Sequence, residues 1–482
     1  MTSTEPAPSR RRNALLWTAD AVSMALVAVA AWIILTGGGV TVMFGQLVAL
    51  HSPVRVLFIA AAVAAIRHAA APRPSIIDHI RSVPKMLAAR PDLRVALSAW
   101  ILTRPTVLLV AFFAVVTIGF PQAVGFRLSP DPLFNLPARF DAGWYGDIAL
   151  YGYRWDGTFQ RQRNIAFFPA LPMLIRAAGP LGGIRTPGVP RDRRMGRALW
   201  IGVAISLGAF FWALHYLARL GRDLVGPDAA ASAVFLLAAY PFAVFFSAPY
   251  TEALFLVAAA GAFFHYRREQ WLAASAWGLI AGLTRPNGCL LSIALAVLAL
   301  EQIRANSRTS TRGLAWRHAL VRLSVAAAPG IGMLLFTAYL YGKTGVWFAW
   351  ARSHGAWGRS FQGLEPLSRV YEWLTTESLV YIVTNVPYDT LNTAALLFGV
   401  ALVVPVFRRL GPAYGVFVLV NMVPPFLAGG VLSMGRMTST LFPLFLALAT
   451  LIPSRSVAAW TATFGVLQGL AAVLFFTWRE LF

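Results

Sequence analysis

The chain has 482 residues, of which 58% are hydrophobic and 12% charged, with a mean hydropathy of +0.65. Soluble domains carry about 25% charged residues, so an ordinary water-soluble fold is excluded. The net charge is +22, yet the arginines lie mostly in short loops between apolar runs. There they read as topology determinants and partners of lipid headgroups, and nucleic acid is not an expected partner. A lone cysteine, Cys289, rules out an internal disulfide framework and a cysteine-cluster metal site; after Gly288 in an apolar run it reads as a small core residue.

Apolar runs of about 20 residues recur along the whole length and predict an all-α, polytopic integral membrane protein of about thirteen transmembrane helices. The period-2 alternation of a membrane β-barrel is absent. The expected spans are 14–36, 42–66, 95–120, 198–218, 230–248, 252–266, 271–285, 288–303, 319–341, 390–408, 412–429, 437–452 and 456–477. The pair 271–285 and 288–303 is short enough to dip or tilt rather than cross. Arg10, Arg11 and Arg12 ahead of the first run resemble a signal peptide, but the run continues to Leu35 without a clear cleavage site and reads as an uncleaved span. The organisation expected is residues 1–94 as a basic tail, two additional helices and a basic cytoplasmic loop. Residues 95–482 then form the membrane core, with a long outer loop over about 121–197.

Orientation follows from the basic loops. Arg10–Arg12, the stretch from Arg67 to Arg94, Arg219 with Arg222, Arg267 with Arg268, Arg304 to Arg322, Arg408 with Arg409, and Arg455 all fall on one side, the cytoplasmic one. The cluster Arg191, Arg193, Arg194 and Arg197 strains this scheme. It is kept outside, facing lipid headgroups, with Phe167–Leu181, broken by prolines, as a membrane-surface helix.

On that topology the polar residues that are not topology charges gather at the outer boundary: Asp141, Asp147, Asn164, Tyr250, Glu252, Arg285, Asn287, His354 and Arg436. An ionisable residue at a membrane boundary is costly to keep and points to function. An Asp can take the proton of an incoming hydroxyl, and arginines can hold a departing phosphate as bidentate donors. Trp144, Tyr145 and Trp347 can offer apolar faces to sugar rings. Each residue also has a structural reading. Asp141 can cap a helix; Tyr250 and Glu252 can begin one; Asn287 beside Pro286 suits a turn. Arg436 can anchor a headgroup, and His354 can be a plain loop histidine. Asp147, six residues after Asp141, would lie on another helical face, which argues against a paired-carboxylate site.

The stretch Arg139–Tyr153, RFDAGWYGDIALYGY, followed by Asn164–Pro172, NIAFFPALP, resembles the first-loop signature of the phosphatidylinositol-glycan class V (PIG-V) mannosyltransferases and their bacterial relatives. Ser247–Glu252 (SAPYTE), Leu283–Gly288 (LTRPNG), Ser433–Arg436 (SMGR) and Leu441–Leu446 (LFPLFL) resemble further family segments, in the family's order. The similarity runs from about residue 95 to the C-terminus. It implies a C-type glycosyltransferase fold and a plasma-membrane enzyme that moves mannose, with inversion, from a polyprenyl-phosphate donor to a lipid-linked or protein acceptor outside the cytoplasm. It implies that Asp141 is the catalytic acid residue of the first outer loop; Arg285 and Arg436 are the candidates for the donor phosphate. Trp144, Tyr145, Asn164, Tyr250, Glu252 and His354 are the remaining substrate-binding candidates. The sequence leaves open a divalent cation and a partner subunit. The rival reading is a lipid or solute transporter with ionisable residues along its spans, where Asp20 and His215 are the mid-span candidates.

Overall fold

The computed structural model describes residues 10–36, 39–43, 46–50, 52–72, 75–121, 126–180, 182–184, 186–306 and 312–481. The chain divides into two compact units, residues 1–94 with 179–189, and residues 95–178 with 190–482. The protein is an all-α polytopic membrane protein in which eight described helices are long and apolar enough to cross a bilayer, or nine if one bent pair is a single span. Shorter apolar helices at Leu15–Ala31, Trp271–Thr284 and Phe442–Leu451 fall where further spans are expected.

The first unit holds α1 (Arg10–Thr36), an antiparallel hairpin of β1 (Gly39–Met43) and β2 (Gln46–Leu50), α2 (Pro53–Ala70) and α3 (Ile76–Ala88). The hairpin takes the first part of the expected 42–66 span. GVTVM is rich in β-branched residues and pairs with QLVAL, and Pro53 starts the helix behind the Ser52 cap. Asp20 is fully buried here. It pairs with Arg67 Nε at 2.7 Å and meets His79 Nδ1 at 2.5 Å, while Trp17 stacks on the His79 ring. The charge at that expected mid-span site is therefore neutralised inside its own unit.

The second unit continues with α4 (Pro91–Thr117, its first turn belonging to the first unit), α5 (Ala142–Tyr151), α6 (Ala170–Ala178), α7 (Arg191–Val225), α8 (Pro227–Ala239), α9 (Glu252–Arg267), α10 (Trp271–Thr284) and α11 (Leu291–Asn306). Then come α12 (Arg312–Ala326), α13 (Ala328–Thr344), α14 (Ala349–Ser353), α15 (Glu365–Thr376), α16 (Leu379–Asn385), α17 (Pro387–Leu410), α18 (Pro412–Gly429), α19 (Met434–Ser439), α20 (Phe442–Leu451) and α21 (Val457–Phe476). The surface helix expected over Phe167–Leu181 is confined to α6, which buries Leu171, Pro172 and Ile175 against α5 and α7.

The expected straight span 230–248 is broken. α8 ends at Ala239, and a tight helical segment, Pro241–Ser247, leaves it at 75°. Pro241 cannot donate to the helix, so carbonyls around the bend lose their partners. Arg104 and Gln468 supply new ones. Arg104 donates to Ala238 O (2.8 Å), Ala243 O (2.7 Å) and Ser247 Oγ (3.0 Å), and Gln468 Nε2 donates to Ala238 O and Tyr240 O. The expectation that only Asp20 and His215 interrupt apolar mid-span positions therefore fails at Arg104, which is fully buried in α4. A broken helix within a membrane is tolerated where other groups satisfy its freed backbone, and Arg104 is that group here.

Candidate functional site

The bend in α8 delivers Tyr250 and Glu252 to the start of α9, and the short helix α19 delivers Arg436 to meet them. Glu252 is fully buried, and its Oε1 accepts from Arg436 Nε (3.0 Å) and Nη2 (2.9 Å). Arg436 Nη1 reaches Asp141 Oδ2 at 3.0 Å, so one guanidinium bridges two carboxylates. Its planar fork is what permits this, and the rings of Tyr250 (4.8 Å) and Phe245 (5.2 Å) cover its faces. Arg285 Nη1 stands 3.6 Å from the same Glu252 oxygen, and its Nη2 donates weakly to Met437 Sδ. Neither Nε nor Nη1 of buried Arg285 has a hydrogen-bond partner, and neither has Glu252 Oε2.

Asp141 occupies the cap position of α5, yet its side chain makes no capping bond. The carboxylate is directed at Arg436 instead and stays 21% exposed, with Oδ1 to offer to another partner. The backbone around it is held in a costly conformation. Phe140, immediately before it, has φ +43°, and Ser433, three residues before Arg436, has φ +65°. Non-glycine residues in that region cost about 1–3 kcal/mol each. Tyr250 secures the first of these: its hydroxyl accepts from the Asp141 N–H (3.1 Å) and donates to Arg139 O (3.3 Å). Fully buried Arg139 bonds to Phe476 O and Asn135 O, tying the same turn to the end of α21.

The other candidates form a ring at varying distance. Tyr145 is buried beside the two carboxylates: burial first, then the charges of Glu252 and Asp141, push its phenol's pKa up. Trp144 stacks on Phe167 and meets Trp357 edge-on, giving a half-buried aromatic wall. His354 Nδ1–H donates to Trp350 O (2.7 Å); burial, and then Arg359, lower its pKa, while Asp141 is near enough to oppose them. Asn164 lies in a different network. It accepts from Arg154 N and donates to Asp147 Oδ2 and Gly152 O, so its amide ties down the loop after α5. Asp147 belongs there too, paired with Arg154, and not with Asp141. Asn287 donates to Asn421 in α18, beyond the turn role read from its neighbours.

Arg359 was not among the residues singled out from sequence. It donates to Ser433 Oγ (3.0 Å), and burial, followed by the charge of Arg436, pulls its pKa down to about 10. It remains a cation at neutral pH, facing Asp141 and Arg285 electrostatically. Arg352 lies in the same loop and has the same type, so no sequence signal separated the two. The group thus holds three guanidiniums, Arg285, Arg359 and Arg436, against two carboxylates. Among the described residues no three His, Cys, Asp or Glu side chains gather as a metal set would. Both carboxylates already face Arg436, whose charge would oppose a cation between them.

No family model matches the chain. No curated protein matches it in sequence. Among solved structures it is similar to the Archaeoglobus fulgidus oligosaccharyltransferase crystallised with Zn and sulfate, at 13% identity and a TM-score of 0.38, covering 78% of this chain and 53% of that one. It is also similar to the archaeal oligosaccharyltransferase AglB from Archaeoglobus fulgidus in complex with an inhibitory peptide and a dolichol-phosphate, at 13% identity and a TM-score of 0.40, covering 82% of this chain and 56% of that one. The chain therefore spans little more than half the length of these oligosaccharyltransferases.

Proposed function

We propose that the protein is a membrane glycosyltransferase that moves mannose from a polyprenyl-phosphate donor to a lipid-linked or protein acceptor at the extracytoplasmic face of the plasma membrane, with its N-terminus in the cytoplasm. The observation that carries this reading is the meeting of Asp141 with a cation-rich group, Arg436, Arg285 and Arg359, next to an aromatic wall. The first-loop resemblance to the PIG-V mannosyltransferases supports the donor class.

In the step proposed, the acceptor oxygen attacks the anomeric carbon of the donor as the bond from that carbon to the phosphate oxygen breaks. The phosphate departs with the bonding electron pair, and the acceptor's proton passes to Asp141. Arg436 orients the Asp141 carboxylate through Oδ2. Arg285, whose Nε and Nη1 make no hydrogen bond, suits a phosphate whose negative charge grows as the bond breaks, and the charge of Arg359 adds to the same field. Arg285 would gain in the transition state hydrogen bonds it lacks at rest, which is how binding energy becomes rate. The donor set around the carboxylates does not suit a divalent cation, and no step is routed through one.

The test is transfer of radiolabelled mannose from polyprenyl-phosphate-mannose into a membrane lipid extract by purified wild type and Asp141→Asn. Asn keeps the size and removes the base, so a loss on the order of 100-fold or more is expected. Equal transfer by the two would refute the role of Asp141.

A further inference from the structure

A cleft of about 490 Å³ lies against the turn Gly429–Leu432, immediately before Ser433 and Arg436. Its other walls are one face of α15 and the first turns of α17. On α15 that face carries Arg369, Glu372 and Trp373, with Glu377 just past its end, while Leu367, Tyr371 and Leu374 are exposed elsewhere on the helix. From α17 come Asp389 and Thr393. The volume is within the usual range of about 300–1,000 Å³ for small-molecule sites.

Three features limit what it can take. The lining holds three carboxylates to one guanidinium, in a chain with 41 Lys and Arg against 19 Asp and Glu. That balance repels a phosphate and distinguishes this lining from the arginine group. Arg369 is itself engaged, with Gln362 (2.6 Å) and Glu365 (3.1 Å). Thr393 is the second feature. It is 3% exposed, and its hydroxyl has no hydrogen-bond partner. Elsewhere the helix threonines Thr390, Thr438 and Thr461 each bond the carbonyl four residues back. Thr393 does not, and an unmade buried bond costs about 1–3 kcal/mol. The third is Trp373, half-buried in the wall, which supplies an aromatic surface among these acceptors and donors.

We propose that this cleft is the acceptor subsite and that it binds a neutral saccharide, with Trp373 against the sugar ring and Thr393 and the carboxylates on its hydroxyls. Sugar hydroxyls both donate and accept, so they match a lining that mixes carboxylates, a hydroxyl and an amide; a simple amine would use only the carboxylates. The proposal rests on the glycosyltransferase reading and adds that the accepting group is itself a glycan.

The experiment is saturation-transfer NMR of α-linked mannobiose with the full chain in nanodiscs, for wild type, Trp373→Ala, Trp373→Phe and Thr393→Val. Binding about tenfold weaker in Trp373→Ala is expected. Thr393→Val should weaken it severalfold, and Trp373→Phe should retain most of it. No binding to wild type, equal binding by Trp373→Ala, or displacement by ethanolamine but not by free mannose would overturn the proposal. Trp373-dependent binding without any transfer of label would sink the transferase reading and leave the cleft standing. Intact transfer with binding indifferent to Trp373 would do the reverse.

Discussion

Replacing Arg436 with Met tests the core of the site most directly. The substitution removes the two contacts to Glu252 at 2.9 and 3.0 Å and the one to Asp141 at 3.0 Å. Asp141 is partly exposed and recovers some hydration, but Glu252 has none to recover. Its remaining cation is Arg285, 3.6 Å away and without hydrogen-bond geometry. Stranding a buried charge in this way costs about 3–5 kcal/mol. Arg436→Lys keeps the charge but loses the fork, so it can serve one carboxylate only; a loss of about 1.5–3 kcal/mol is expected, the worth of a charged hydrogen bond. Adding Glu252→Gln to Arg436→Met removes the stranded charge and should restore much of the stability. Denaturant unfolding of the four proteins in detergent, followed by tryptophan fluorescence, reads these differences. If Arg436→Met costs under about 1 kcal/mol, as an exposed ion pair would, the buried bridge is not what holds the site together.

Arg104→Leu should destabilise the protein by about 2–5 kcal/mol, because Ala243 O and Ser247 Oγ lose a buried donor while Ala238 O keeps Gln468; the same unfolding assay measures it. Gly435→Ala would bring a methyl to 2.1 Å from the Phe242 ring, and its cost of about 1–3 kcal/mol should be accompanied by loss of transfer, since Arg436 is the next residue. His354 gives a pH test. Burial sets its folded pKa below the ordinary 6.5, so the folded state binds fewer protons than the unfolded one between the two values. Stability should therefore be full above pH 6.5 and decline as the pH falls through the window beneath it, and His354→Gln should flatten that part of the curve.

Much of the helical framework is legible from apolar run length, because a helix in lipid must satisfy its own backbone and be about as long as the bilayer is thick. The misses share one cause: groups satisfied by residues far away in sequence. Pro241 is visible, but the rescue of its freed carbonyls by Arg104 and Gln468 depends on side chains over a hundred residues away. Asp141 stands out through its motif, whereas its pairing with Arg436 joins positions 295 residues apart. Asn164 has the same polar character as the residues around Arg436, yet its amide is engaged by Asp147 and Gly152, a distinction that only geometry supplies.

The length of α7 has a consequence for depth. At 35 residues and about 1.5 Å per residue it extends about 52 Å, well beyond a hydrocarbon layer of about 30 Å. Its basic residues fall into two girdles, Arg191–Arg197 and Arg219–Arg222, and the arginine-free stretch between them measures about 33 Å. The helix is a ruler with both ends of the oil marked, which is why the first girdle fits no rule of charge asymmetry: it marks a surface, not a side. Gly146 of α5 packs against Met195 and Leu199, and Gly202 packs against Pro249, beside Tyr250. Asp141 and its partners are thereby levelled with the first girdle. On the function proposed above, a lipid phosphate presented there would react without its chain leaving the bilayer, and its sugar would travel no further than the headgroup layer.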